Sequence, residues 1–358
     1  IPRSGRSSFG AAMTDLGKGQ GKGQGQGKGQ GKGQGKGQGE AAHGHAGGPA
    51  SLLLSYALVT TRDGVVGSWD PPSDPGREPG FGGRNDGDLS YLTAGTRGDL
   101  IDAILRQSFP ITGANGTATL GANGTDLLTL RRPPPWVFRR QMLLVLAYAD
   151  LRVDRAEEIF AQIDDLLSFF GLVGLLDTGR RRHSLELLST VIRLAEHVEM
   201  PLKHLCRAAR PIDWPPEVQP MIQTPDHSTF PAGHAIECFA AAAVLHRLMS
   251  GRGPEGQLDA MPFRIAHRIA VNRVVAGVHF PVDNAAGALA GLLLGEGVFA
   301  LACGKNPPAT AKAPDFTKRT GDVTPDVLDD ALPASQTWTP LTSIPLGWLW
   351  GRAQAEWR

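Results

Sequence analysis

Two basic residues seven positions apart are the first feature of this chain that could do chemistry. Lys203 and Arg210 lie in the segment KHLCRAAR, and Pro211 follows it. Seven residues of a continuous helix make nearly two turns, so both cations would lie on one face, about 10 Å apart along the axis. Pro211 would then end the helix beside Arg210. Such a pair could bind a small anion, although basic residues on a helix are also typical of a solvated face.

A glycine and a histidine stand at the start of an apolar stretch further along. The segment reads Pro231-Ala-Gly-His234, and the residues after it have the pattern of a helix. The first N–H groups of a helix have no partner within it and lie at the positive end of its dipole, which favours an anion. Gly233 and His234 therefore indicate an anion site or, more plainly, a helix cap.

A third segment contains Arg273, His279 and Asp283. If His279 and Asp283 share a helical turn, the carboxylate accepts the Nδ1–H of the imidazole and leaves Nε2 with a basic lone pair. Each segment alone has an ordinary structural explanation. Together, in this order within residues 203–283, they predict a pocket for a tetrahedral or trigonal-bipyramidal oxyanion.

These three segments resemble the superfamily that unites type 2 phosphatidic acid phosphatases, bacterial class A acid phosphatases and vanadium-dependent haloperoxidases. Its pattern is Lys-x6-Arg-Pro, then Pro-Ser-Gly-His, then Ser-Arg-x5-His-x3-Asp. The matching positions are Lys203, Arg210, Pro211, Pro231, Gly233, His234, Arg273, His279 and Asp283. Ala232 and Asn272 stand where the pattern has Ser. The resemblance covers about residues 183–303 and implies an all-α helical bundle of the acid phosphatase/vanadium haloperoxidase type.

The resemblance also implies a role for each matched residue. Four groups would hold the equatorial oxygens of phosphate or vanadate: Lys203, Arg210, Arg273 and the backbone N–H of Gly233. His279 would bond the central atom, either as a nucleophile that forms a phosphohistidine or as the protein ligand of vanadium. His234 would be the general acid/base, and Asp283 would fix the tautomer of His279.

Three functions remain open on these residues. About 200 residues precede Lys203 with no clear set of spanning helices, which resembles the soluble haloperoxidases, whereas the short connector between Pro211 and Pro231 resembles the phosphatases. We take a vanadate-dependent haloperoxidase, acting on hydrogen peroxide and halide, as the main prediction. A phosphatase that acts on a phosphate ester without a cofactor is the alternative. Ala232 lacks the hydroxyl donor of the pattern, which favours a third hypothesis, an oxyanion-binding protein with weakened catalysis.

Helical patterns supply the elements that must position these residues. Six helices are predicted, at residues 136–150, 153–170, 183–209, 234–250, 260–275 and 283–302. The apolar stretch 285–303 approaches the length of a membrane span, but four glycines and Glu296 favour a buried bundle helix. Two Asn-Gly pairs near residues 115 and 123 predict tight turns that flank a short strand. Ser51–Thr61 fits a strand or a short helix.

These patterns divide the chain into four parts. We predict a disordered Gly/Lys/Gln tail at 1–48 and a loop-rich and helical region at 49–132, packed on the bundle. The catalytic bundle follows at 133–304. A C-terminal Pro/Trp-containing extension, at 305–358, is expected to wrap the surface.

Composition narrows the class of protein further. The net charge is +1, but residues 17–39 contain five lysines and no acid, so the remainder has 31 basic residues against 35 acidic ones. That balance argues against a duplex-binding protein, and the basic tail has no interleaved aromatic residues for single strands. Three cysteines exclude a disulfide scaffold. Without a secretory signal in the chain, we expect a cytoplasmic or otherwise soluble protein with no firm membrane span, and a homo-oligomer remains open.

Overall fold

The computed structural model describes residues 52–66, 82–214, 218–307, 310–322 and 324–358. The predicted tail at 1–48 lies outside these ranges. The α-helices of the described chain are α1 (Leu52–Val65), α2 (Ala94–Ser108), α3 (Pro135–Tyr148), α4 (Arg152–Ala161), α5 (Leu167–Gly174), α6 (Arg182–Cys206), α7 (Gly233–Ser250), α8 (Met261–Val275), α9 (Pro281–Ala302), α10 (Pro325–Asp329) and α11 (Pro345–Ala355). The predicted helical bundle is thus confirmed, and residues 52–61 belong to a helix rather than a strand.

The core of the bundle is formed by α7, which packs against α6, α8 and α9. Glycines on α9 allow its backbone to approach α7 closely: a Cβ at Gly291 would lie 2.4 Å from the carbonyl oxygen of Ile236. At the far end, Arg247 of α7 and Glu296 of α9 form a buried two-point ion pair. This pair accounts for the one charge in the apolar stretch.

Helix α9 is the one helix of the described residues that is long and apolar enough to cross a membrane. Its mean hydropathy is 1.8 over the best window, and 94% of that window is buried inside the protein. The central helix of a bundle is also long and apolar, and α9 is such a buried helix, as its four glycines and Glu296 predicted.

Two predicted helices have different ends in the structure. The helix predicted at 153–170 is divided, because α4 ends at Ala161 and α5 starts only at Leu167. The helix predicted at 183–209 ends at Cys206, where Arg207 adopts a left-handed conformation with φ of 50°. The prediction that Lys203 and Arg210 share a helical face is therefore wrong, and Pro211 does not end α6.

The two Asn-Gly pairs form the turns of a small antiparallel sheet, as predicted. Its strands are β1 (Ile111–Ala114), β2 (Thr117–Ala122) and β3 (Thr125–Arg131), in the order β1-β2-β3. Asn115 and Asn123 have φ of 51° and 45°, and the glycine after each is also positive, which suits tight hairpin turns. The turn at Gly116 bonds the end of α6, through its N–H to the Leu205 carbonyl at 3.1 Å.

The C-terminal extension is not a surface wrap throughout, because α11 packs against α6 and α9. Trp350 is only 1% exposed. Glu356 accepts the backbone N–H groups of His183 and Ser184 at 2.9 Å each. An acid at this position satisfies free N–H groups in the first turn of α6 and complements its dipole.

We expect Gly291→Ala to destabilise the protein by about 1–3 kcal/mol, because the new methyl group would force α7 and α9 apart. Gly171→Ala in α5 is the matched control, since a Cβ there meets nothing within 4 Å. That change should be neutral or stabilising by up to about 1 kcal/mol. Urea denaturation of both variants checks the expectation, and equal stabilities would contradict it.

Candidate active site

The three motif segments meet at one end of the bundle, around a cavity of about 40 Å³. That volume is a few times what one water molecule needs and suits a small oxyanion. The motif residues that line it are Lys203, Arg210, Gly233, His234, Arg273 and His279. Asp283 lies behind His279 and is fully buried. The structure therefore brings together all seven predicted site residues.

Lys203 and Arg210 reach the cavity from opposite sides of a chain reversal. Lys203 lies in the last turn of α6, and the left-handed Arg207 turns the chain back so that Arg210 points inward. The Arg210 guanidinium donates to the carbonyl oxygens of His227 at 2.8 Å and Val278 at 2.9 Å. Lys203 Nζ donates to the Ser228 carbonyl at 3.3 Å. Neutral carbonyl oxygens thus hold both cations, and neither forms a close ion pair within the described residues.

Gln162 connects the third cation to one of the catalytic candidates. Its side-chain Oε1 accepts from Arg273 Nη2 at 3.0 Å and from Asn272 Nδ2 at 3.1 Å. Its backbone oxygen accepts from His234 Nε2 at 3.0 Å. A carbonyl can only accept, so His234 has its proton on Nε2 and Nδ1 is the nitrogen able to exchange one. Asn272 replaces the motif Ser and joins this network through its amide.

His279 is held by a buried acid and by a hydroxyl. Its Nδ1 lies 3.2 Å from Asp283 Oδ2 and 3.1 Å from Thr229 Oγ1. The same carboxylate oxygen accepts from Thr229 and from the Phe280 N–H at 2.8 Å. His279 precedes α9 instead of sharing a helical turn with Asp283, yet the predicted contact forms. With Nδ1 directed at the acid, Nε2 is left toward the cavity.

Burial dominates the electrostatics of the site. It lowers the pKa of Lys203 to about 8, and that of His234 to about 3 with the help of the Arg273 charge. Burial and the nearby cations also lower the pKa of His279 well below its ordinary value. Both imidazoles are therefore neutral at pH 7. Burial raises the pKa of Asp283 to about 6, against the opposing hydrogen bonds from Thr229 and Phe280.

Gly233 is the first residue of α7, so its N–H lacks an acceptor within the helix. Only glycine fits at this position, because a Cβ would lie 1.7 Å from Glu199 Oε2. Ala232 is the N-cap residue, and no side chain caps the helix. The start of α7 thus keeps its N–H groups available to a ligand, as the motif predicted.

Four residues of the site were missed from the sequence. Glu199 lies four residues before Lys203 and Glu237 three after His234, a helical spacing that could have placed both acids on the motif faces. Gln162 was hidden because the predicted helix ran through it. Thr229 carries no signal that we can identify.

Residues close to the motifs in the sequence lie in different places in the structure. His227 lines the cavity, whereas Trp214 lines a separate groove. Phe230 is buried and packs edge-on against Phe316. Cys206 and Cys238 are small buried residues, as expected. No group of three His, Cys, Asp or Glu side chains in the described chain could hold a metal ion.

Comparison with known proteins supports the resemblance seen in the three motifs. Residues 185–304 match the family model of the PAP2 superfamily. This segment, which contains the three motifs, is similar to that superfamily, and the resemblance seen in the sequence is confirmed.

Two curated relatives extend the comparison. Both are named decaprenylphosphoryl-5-phosphoribose phosphatase and come from Mycobacterium tuberculosis, strains CDC 1551 / Oshkosh and ATCC 25618 / H37Rv. Each is 30% identical to this chain over 124 residues, which is 35% of the chain. The match spans 64% of the length of each relative.

Gln162→Leu should weaken orthophosphate binding about tenfold, because Arg273 loses a hydrogen bond that orients its guanidinium. Isothermal titration calorimetry measures the change. Gln107→Leu, at an exposed position of α2, is the control. Equal affinities in the two variants would show that Gln162 does not position the cation.

Proposed function

We propose that this protein is a phosphoester hydrolase that transfers the phosphoryl group of a monoester to His279 and then to water. The observation that carries this proposal is a neutral, oriented imidazole facing three buried cations in a cavity of oxyanion size. The PAP2 superfamily match and the phosphatase names of the relatives support hydrolysis over halide oxidation. The alternative from the sequence is thus better supported than the main prediction.

Substrate binding follows from the charges. Lys203, Arg210 and Arg273 would hold the phosphoryl oxygens, and the Gly233 N–H would donate to one of them. Because the cavity excludes most water, these interactions are stronger than on the surface. The cations are fixed before substrate arrives, so little reorganisation is needed.

In the first step, His279 Nε2 attacks phosphorus and the bond from phosphorus to the ester oxygen breaks. The imidazole becomes positively charged, and Asp283, still ionised at neutral pH, stabilises that charge through Nδ1–H. The leaving alkoxide takes a proton from His234 Nδ1, which takes that proton up from solvent when the dianion binds. A bound dianion raises the pKa of His234 by favouring its charged form, so substrate itself prepares this acid.

In the second step, water attacks the phosphohistidine and the bond from phosphorus to Nε2 breaks. His234 has given up its Nδ1 proton and now accepts one from that water. Orthophosphate is released, His234 returns to solvent the proton that it took up when the substrate bound, and both imidazoles are neutral again. The proton count therefore closes over one turnover.

The same groups would also fit vanadate, the cofactor that the haloperoxidase hypothesis requires. Lys203, Arg210 and Arg273 would hold its oxygens and His279 its vanadium, and in a haloperoxidase the bound group activates peroxide. In a hydrolase, vanadate is instead an inhibitor that mimics the phosphoryl transition state. No contact of the described residues favours halide oxidation.

Orthovanadate should therefore inhibit hydrolysis of p-nitrophenyl phosphate and support no bromide oxidation with hydrogen peroxide. Both activities are measured spectrophotometrically on the same preparation. Peroxide-dependent bromination that disappears in His279→Ala would establish the haloperoxidase and overturn our proposal. Phosphate binding without either activity would support the weakened pocket instead.

His279→Ala should lower hydrolysis at least about 10⁴-fold, because the nucleophile is removed. The wild-type protein, quenched during turnover, should contain an acid-labile and alkali-stable phosphate that the variant lacks. His204→Ala, exposed on α6, is the control. Phosphate retained on the His279 variant would place the nucleophile elsewhere.

His234→Ala should slow hydrolysis of an alkyl phosphate by about 10²–10⁴-fold, because the alkoxide leaves without a proton. The loss should be much smaller for p-nitrophenyl phosphate, whose phenolate needs no acid. A panel that includes a pentose 5-phosphate and phosphatidic acid would define the substrate class. Equal losses for both leaving groups would contradict the role of general acid.

A further inference from the structure

Two buried glutamates face the cavity, and the mechanism above does not use them. Glu199 is 3% exposed and Glu237 is 2% exposed. Both line the cavity with the three cations, and Oε2 of each has no hydrogen-bond partner among the described residues. A buried carboxyl oxygen without a partner is costly, so its presence at a ligand site calls for an explanation.

Glu199 is the better placed of the two. Its Oε2 occupies the space beside Gly233 that a Cβ would fill. It therefore lies against the residue whose N–H begins α7. Ala232 offers no hydroxyl at that helix start, so Glu199 is the side chain available to act there.

The charges of the surrounding groups determine which form of Glu199 can be present when an anion binds. Lys203 and Arg210 face it from α6 and the following turn, Arg273 from α8, and Glu237 from α7, with Asp283 behind the neutral His279. If all three acids were ionised, they would cancel the three cations and leave no net attraction for a dianion. If Glu199 and Glu237 are protonated and only Asp283 is ionised, two net positive charges remain, which match the two negative charges of a dianion.

We propose that Glu199 is a further oxyanion-binding residue, which enters the complex as the neutral acid and donates its Oε2–H to a phosphoryl oxygen beside the Gly233 N–H. The inference rests on the oxyanion binding of the proposed function. Burial raises the pKa of Glu199, although Lys203 and Arg210 act against it. Burial and the charge of Glu199 raise the pKa of Glu237 well above its ordinary value. Both directions favour the neutral acids.

Sulfate is the probe that tests the proposal, because it remains a dianion from mildly acidic to mildly alkaline pH. Its affinity for the wild-type protein, measured by calorimetry, should fall with rising pH as Glu199 ionises. In Glu199→Gln the amide still donates at every pH, so this fall should be lost, and only the weaker pH dependence that Asp283, His234 and Lys203 contribute should remain. Glu199→Ala should bind sulfate about tenfold more weakly at acidic pH.

Two further variants separate the possible results. Glu157→Gln, at an exposed position of α4, should behave as the wild-type protein does. If Glu237→Gln removes the pH dependence and Glu199→Gln does not, the assignment to Glu199 is wrong. Sulfate affinity in Glu199→Ala equal to or above that of the wild type also overturns it. Should the alanine variant fail to fold by circular dichroism, the two glutamine variants decide.

The outcome is distinguishable from that of the proposed function, because sulfate binding requires no hydrolysis. A wild-type protein that hydrolyses esters but shows the same pH dependence of sulfate affinity as Glu199→Gln overturns the inference alone. One that shows the expected pH dependence but hydrolyses no ester overturns the hydrolase proposal alone.

Discussion

Three cations buried without close ion pairs are the constraint on which the rest of this site depends. A charged side chain loses a large hydration energy when it leaves water, and an acid in direct contact would offset that loss. Here four neutral carbonyl oxygens from three separate segments hold the cations, those of His227 and Ser228, Val278, and Ile159. A carbonyl dipole fixes a guanidinium or ammonium group without neutralising it. The positive charge therefore remains available to a ligand.

This arrangement explains several irregularities of the fold. The chain must expose backbone oxygens at the cavity, and a regular helix would engage them internally. The break after α4 releases the carbonyl of Gln162, and the left-handed Arg207 turns the chain away from α6. The close packing of α7 on α9 provides a rigid wall behind the site. Local departures from helical geometry thus help to form the candidate site.

The sequence predicts the regular helices of this protein better than the irregular segments that complete the site. Helices that are apolar on all sides, such as α7 and α9, were located within two residues, because a long apolar stretch that follows a Gly or a Pro marks a buried helix. The seven motif residues were found because their spacing is specific. Gln162 and Thr229 were not, because each contributes through a backbone break or a single hydroxyl that no periodic pattern records. The shared face of Lys203 and Arg210 failed because one left-handed residue redirects the chain, and residue type alone does not reveal that.

Asp283 has two functions that cannot be separated physically. Its carboxylate accepts the Phe280 N–H, which satisfies a free group at the start of α9, and it also orients the imidazole of His279. The first turn of α9 and the proposed nucleophile therefore share one hydrogen-bond acceptor. A fluctuation that frays this turn also weakens the contact between Asp283 and the imidazole and leaves only that of Thr229, so the orientation of His279 depends on the stability of a helix terminus. For the proposed hydrolase, we therefore expect this local fraying to limit catalysis at a temperature below that at which the bundle itself unfolds.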